Sequence, residues 1–156
     1  MAKNAANDSD YILWNLLILT RDAIHKVRER ELTRYGITPV QAGTLFAINS
    51  LGDQATISRI GRRIMRKPHS VLNLLQRLEK HGMVKKQKSG NGRAPAIYKL
   101  TPKGREASLS SEKRESLHRA LSALSDEEKR NMVTYLRKTM DQTFQDMDGE
   151  NKPGWP

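Results

Sequence analysis

The chain has 156 residues, 37% of them hydrophobic, a formal net charge of +11 and no cysteine. That length suits one domain, or one domain with helical extensions, around a modest core. The missing thiols exclude disulfides, thiolate catalysis, Cys-ligated zinc and thiol redox sensing. The charge is unevenly placed: residues 53–105 carry 14 Lys and Arg against only Asp53 and Glu79, while the flanking segments are close to balanced. A solvated face explains lysines scattered singly, but it does not explain this confinement, which is the electrostatic footprint of a polyanionic partner. Nucleic acid fits better than a membrane surface, because the basic region lacks a long amphipathic helix with bulky aromatics.

In chain order, residues 1–9 are small and polar and read as a disordered N-terminus. The run YILWNLLIL, residues 11–19, is shorter than the roughly 20 residues a bilayer demands. The segment before it has one lysine against Asp8 and Asp10, and no small-residue cleavage site follows, so no signal peptide is expected. The expectation is a soluble cytoplasmic protein. Residues 10–35 have helical periodicity, with Trp14, Leu17, Ile18, Ile24, Val27 and Leu32 near one stripe, and Gly36 is the stop. In ITPVQAGTLFAINSLG, Thr38 is the N-cap, Pro39 suits the first helical position and Gln41 completes a capping box. Val40, Leu45, Phe46, Ile48 and Leu51 are the expected buried face of that second helix, which Gly52 ends.

Residues 56–65 predict a short helix with Ile57, Ile60 and Ile64 inward, and Arg66 and Lys67 make a turn. Pro68 opens PHSVLNLLQRLEKHG, where Val71, Leu74, Leu75 and Leu78 form one stripe and His69, Ser70, Asn73, Gln76, Arg77 and Lys80 the opposite face. Two short helices across a tight turn, the second amphipathic and basic, are a helix-turn-helix pattern. Residues 84–88 and 96–100 then read as strands around the turn SGNGRAP. A phosphate-cradling enzyme loop needs a helix directly after it, and here a second strand follows with no Gly-Lys-Ser/Thr. The segment is therefore a β-hairpin wing with Arg93 at its tip, in reach of a minor groove or a phosphate.

The run ISRIGRRIMRKPHSVLNLLQRLEKHGMV, followed by a basic hairpin and KLTPKG, resembles the MarR family of bacterial and archaeal transcription regulators, over most of residues 10–147. The resemblance implies a mainly α fold with a small β-hairpin wing: a winged helix-turn-helix with N- and C-terminal dimerisation helices. It divides the chain into the N-terminus 1–9, a helical dimerisation region made of 10–35 and 102–147, a DNA-binding domain at 36–101, and a flexible tail at 148–156. The wing has SGNGRAP where the family usually has an Asp-x-Arg-Asp-x-Arg pattern, so of the wing contacts only Arg93 carries over. Asn73 stands where many members have arginine, so base preference does not transfer.

Thr101 and Pro102 open a helix expected to run to about residue 123. Ser125 and Glu128 form a second capping box, and the last helix carries Met132, Val133, Leu136, Met140, Phe144 and Met147 on one stripe. Ordinary core packing is the expectation for most of these residues; yet the terminal helices have more apolar face than a small winged helix covers, and a second chain is the natural cover. Enzyme readings find no support: His25, His69, His81 and His118 have no metal-ligand spacing, no G-x-S-x-G elbow is present, and Glu127 and Glu128 belong to a helix start. No metal or cofactor is expected.

The partners expected are double-stranded DNA and a second copy of the chain. The N-terminal end of a recognition helix meets base edges, which makes His69, Ser70 and Asn73 candidates, Asn being able to pair bidentately with adenine. The bland alternative is the solvent side of an amphipathic helix. Arg59, Lys67, Arg77, Lys88 and Arg93 are candidates for phosphate or minor-groove contacts. The resemblance also implies a small-molecule effector between the dimer helices and the winged domain, where Trp14, His25 and Phe46 are the candidate border. Function is then expected to be a dimeric, sequence-specific regulator, a repressor on a palindromic operator. The alternative is a non-specific or architectural nucleic-acid-binding protein.

Overall fold

The computed structural model describes residues 8–87 and 95–147. The ends 1–7 and 148–156 and the wing tip, with Lys88 and Arg93, lie outside the described residues. Helix α1 spans Ser9–Thr33 and starts one residue before the expected position, because the Asp8 carboxylate accepts from the Asp10 amide at 3.0 Å. Helix α2, Pro39–Leu51, opens with the capping box read from the sequence: Gln41 N–H donates to the Thr38 hydroxyl at 3.3 Å, and Thr38 N–H to the Gln41 side chain at 2.9 Å. Its buried face is Ala42, Thr44, Leu45, Ala47 and Ile48. Phe46, expected there, is 37% exposed, and its ring lies 5.8 Å beneath the Arg114 guanidinium. Thr44 takes an interior place because its hydroxyl donates to the Val40 carbonyl at 2.8 Å.

Helix α3 is Ile57–Ile64 and helix α4 is Pro68–Lys80. Met65, at φ 52°, breaks the helical run, and the Arg66 amide closes back on the Gly61 carbonyl at 2.9 Å. Gly61 makes that turn possible: a Cβ there would stand 2.7 Å from the Arg66 carbonyl oxygen and 3.3 Å from a Val71 methyl. Lys67 is extended, as the residue before a proline prefers. In α4, Val71, Leu75 and Leu78 are fully buried and Leu74 half-buried. The helix ends in a Schellman arrangement, with Gly82 at φ 68° and the Met83 amide on the Leu78 carbonyl at 2.9 Å.

Strands β1, Val84–Gln87, and β2, Ile97–Leu100, pair antiparallel with Val84 opposite Leu100 and Gln87 opposite Ile97. The hairpin is tied to the entrance of α3 by a bridge between Thr56 and Ile97 and by the Tyr98 amide on the Ala55 carbonyl at 2.9 Å. This fixes the wing relative to the helix-turn-helix. The core runs through α2, α3, α4 and both strands, with Leu32 of α1 and Ala107 of the following helix completing it.

The helix expected from 102 to about 123 is two: α5, Pro102–Ser111, and α6, Glu115–Ala120, with Arg114 between them at φ 51°. The cause is a charge pair on α1, with Glu31 buried and Arg28 half-buried. Arg28 bonds Glu31 at 2.7 Å and also donates to the Ser111 carbonyl at the end of α5. Glu31 accepts the amides of Glu115 at 2.9 Å and Ser116 at 3.2 Å, together with the Ser116 hydroxyl. One guanidinium thus caps the end of α5 and one carboxylate the start of α6. Burial alone would raise the Glu31 carboxyl, but the Ser116 hydroxyl, Arg28 and the Ser116 amide outweigh it and hold it at about 2.

Helix α7, Asp126–Asp146, begins with the expected Ser125–Glu128 capping box at 2.7 and 3.2 Å. Core packing, expected for most of its apolar stripe, holds only for Phe144, with Met140 half-buried; Met132, Val133, Leu136 and Met147 are exposed, because the winged domain does not reach that side of the helix within one chain. On α1, Tyr11, Ile12, Leu13, Trp14 and Leu16 are exposed as well. Among the described residues no helix is long and apolar enough to cross a membrane.

Candidate nucleic-acid interface

The surface begins with why α4 has an open face at all. Its apolar stripe is used by the core, so the other side is left to water, and there His69, Asn73, Gln76, Arg77 and Lys80 are all exposed. Residues three and four apart on a helix are surface neighbours, so His69, Asn73, Gln76, Arg77 and Lys80 form one continuous strip. Ser70 is half-buried on the flank of this strip. Lys67 is exposed at the start of the helix, where Pro68 takes the first position.

Arg62 and Arg66 lie near this strip in sequence, although residue type and periodicity alone did not single them out. Both are exposed, on the last turn of α3 and in the turn itself. Arg59 is also exposed, but its guanidinium donates to the Gln54 side chain, which holds it at the start of α3. Lys85 and Lys86 of β1 are exposed beside the helix end.

The electrostatics follow from how the two acids of the segment are used. Asp53 pairs with Lys99 at 2.6 Å, and the hydrogen bond and charge of Lys99 lower its pKa. Glu79 accepts the Lys86 amide at 3.3 Å, which turns it toward the hairpin. Burial, with the Glu79 charge adding to it, raises the Tyr98 hydroxyl. Among the described residues, no ion pair neutralises Arg62, Arg66, Lys67 or Arg77. The strip therefore combines hydrogen-bonding side chains with uncompensated cations, the chemistry that base edges and phosphates call for.

Of the three residues expected to border an effector, Trp14 and His25 lie on α1 and Phe46 on α2. Trp14 and His25 stand about 16 Å apart along the axis of α1, eleven residues at the helical rise. The Trp14 ring has Tyr11 as its neighbour at 6.3 Å, while Phe46 has Arg114. A pocket of about 210 Å³ lies elsewhere, between the end of α2 and β2, lined by Ile48, Asn49, Asp53, Tyr98, Lys99 and Arg105 among others.

Residues 35–94 match the model of the MarR family. No curated protein matches the chain in sequence. Among solved structures, the organohalide-sensing transcriptional regulator RdhR in its 2,4-dichlorophenol-bound form superposes with a TM-score of 0.87 at 21% identity, covering 100% of this chain and 94% of that one. The S. aureus MepR–DNA complex gives a TM-score of 0.74 at 23% identity, over 82% of this chain and 96% of that one. A mutant MarR from E. coli complexed with operator DNA gives 0.74 at 18% identity, over 81% and 92%. At these identities the likeness establishes the fold: helical, with a two-stranded antiparallel wing.

Proposed function

We infer that this chain, whose residues 35–94 match the MarR family model and whose fold is a winged helix, is a MarR-type, sequence-specific transcription regulator that binds double-stranded DNA as a homodimer. The observation that carries the reading is the exposed face of α4, where His69, Asn73 and Gln76 stand near Lys67 and Arg77, which no acid among the described residues neutralises. A helix of this kind lies in a major groove, with its first turns on base edges and the surrounding Lys and Arg on phosphates. Arg62, Arg66, Lys67 and Arg77 are the proposed phosphate contacts, and Arg93 the contact from the wing. The DNA complexes of MepR and MarR support this docking.

The proposed dimer covers the exposed apolar residues of α1 and α7, among them Tyr11, Ile12, Leu13, Trp14 and Leu16 on one helix and Met132, Val133, Leu136 and Met147 on the other. Two-fold symmetry then calls for an inverted repeat with half-sites roughly 34–36 Å apart. Occupying such an operator blocks transcription, and the 2,4-dichlorophenol-bound form of RdhR supports release by a small molecule. Trp14 of one chain and Phe46 of the other are the residues to probe for that effector. Selection of bound sequences from a random DNA pool tests the reading: enrichment of a palindrome is expected. Binding without enrichment would transfer the chain to the non-specific class, which the excess basic charge alone would satisfy.

A further inference from the structure

The exposed face of α4 contains one residue that its polar neighbours do not explain. Leu72 is 36% exposed, while Val71, Leu75 and Leu78 of the same helix are fully buried. Met65 and Leu72 are the large hydrophobic side chains exposed between residues 52 and 100, among the described residues. Helical spacing makes the position specific. Leu72 is three residues from His69 and four from Gln76, and Asn73 is four from His69 and three from Gln76. These four side chains therefore form one contiguous four-cornered patch on the helix, with neighbouring Cβ atoms about 5–6 Å apart. All four are exposed. An apolar group is thus set directly beside an amide that can pair with adenine.

In the major groove the C5-methyl of thymine is the apolar feature, and apolar side chains read it by contact. We propose that Leu72 is a specificity-determining residue that packs on a thymine methyl next to the base pair addressed by Asn73. This rests on the DNA-binding reading above and adds the base class. The preferred half-site then contains a thymine whose methyl matters, and the Asn73–Leu72 pair favours A·T pairs in succession. The phosphate contacts of Arg62, Arg66 and Lys67 are indifferent to that methyl, so the effect is separable from general affinity.

Replacement of thymine by uracil removes the methyl and leaves the base's hydrogen-bonding edge intact. On the site selected from random DNA, each thymine is replaced by uracil in turn, and affinity is measured for wild type, Leu72→Ala and Leu72→Met. Wild type should bind roughly fourfold more weakly at one thymine position per half-site, the worth of one buried methyl group. Leu72→Ala should bind thymine and uracil sites alike, and Leu72→Met, which keeps an apolar side chain, should retain part of the preference. A melting curve for each variant checks that the exposed position leaves the fold intact. Wild type indifferent to every uracil, or Leu72→Ala as sensitive as wild type, overturns the proposal while leaving an enriched operator in place. Failure to enrich any site overturns the sequence-specific reading and this proposal together.

Discussion

Replacing Glu31 by alanine tests the account of how α1 organises the break between α5 and α6. The carboxylate is 6% exposed and bonds Arg28, the amides of Glu115 and Ser116, and the Ser116 hydroxyl. Its removal leaves the half-buried Arg28 charge without its carboxylate, a loss whose upper bound is the roughly 3–5 kcal/mol of fully buried pairs. A second route gives a similar size. The Glu31 carboxyl lies at about 2 in the fold against an ordinary value of 4.5. At about 1.4 kcal/mol for each tenfold change in proton affinity, that gap corresponds to about 3 kcal/mol at neutral pH. Because the folded-state value is the lower one, the contribution is whole above pH 4.5 and is lost as the pH falls through 2. At pH 3 about 1.4 kcal/mol remains. Urea unfolding followed by circular dichroism, at one fixed protein concentration, should place Glu31→Ala about 3 kcal/mol below wild type at pH 7 and much closer to it at pH 3. A variant as stable as wild type at pH 7, or a gap just as wide at pH 3, would refute the reasoning.

Gly61→Ala should destabilise by about 1–3 kcal/mol, since its Cβ meets backbone at the Arg66 carbonyl rather than a movable side chain, and thermal melting reads the loss directly. Arg93→Ala should weaken binding to all DNA sequences and make the dependence of log affinity on log salt shallower by about 1; an unchanged slope would mean that the wing tip makes no phosphate contact. Light scattering at micromolar concentration should give twice the chain mass, because the apolar faces of α1 and α7 require a cover. A monomer under those conditions contradicts the assembly.

The parts of the fold that were legible in the sequence are those whose determinants are local. Thr38 with Gln41, and Ser125 with Glu128, are three residues apart and settle their helix starts between themselves. Gly82 and the stripe Val71, Leu75 and Leu78 likewise announced α4 and its end. The break between α5 and α6 was not legible, because Ser111, Glu115 and Ser116 take their partners from α1, more than 80 residues away. Phe46 was misplaced for a related reason: apolar character suggests burial, but its position on α2 sets it outside the core under Arg114. At the candidate interface, periodicity delivered His69, Asn73 and Arg77 as one exposed strip. It did not deliver Arg62 and Arg66, whose place depends on the path of the turn across Gly61.

The claim at the centre of the account is that α4 discriminates between base sequences. The most direct measurement compares wild type and Asn73→Ala on the selected operator and on random DNA, at one salt concentration. Asn73 is exposed and outside the core, so the variant should fold as wild type does. A lost bidentate contact to adenine should cost roughly 1–3 kcal/mol on the operator and little on random DNA, which lowers the specificity ratio by about that amount. Equal losses on both DNAs, or none on either, would contradict base reading by this helix face.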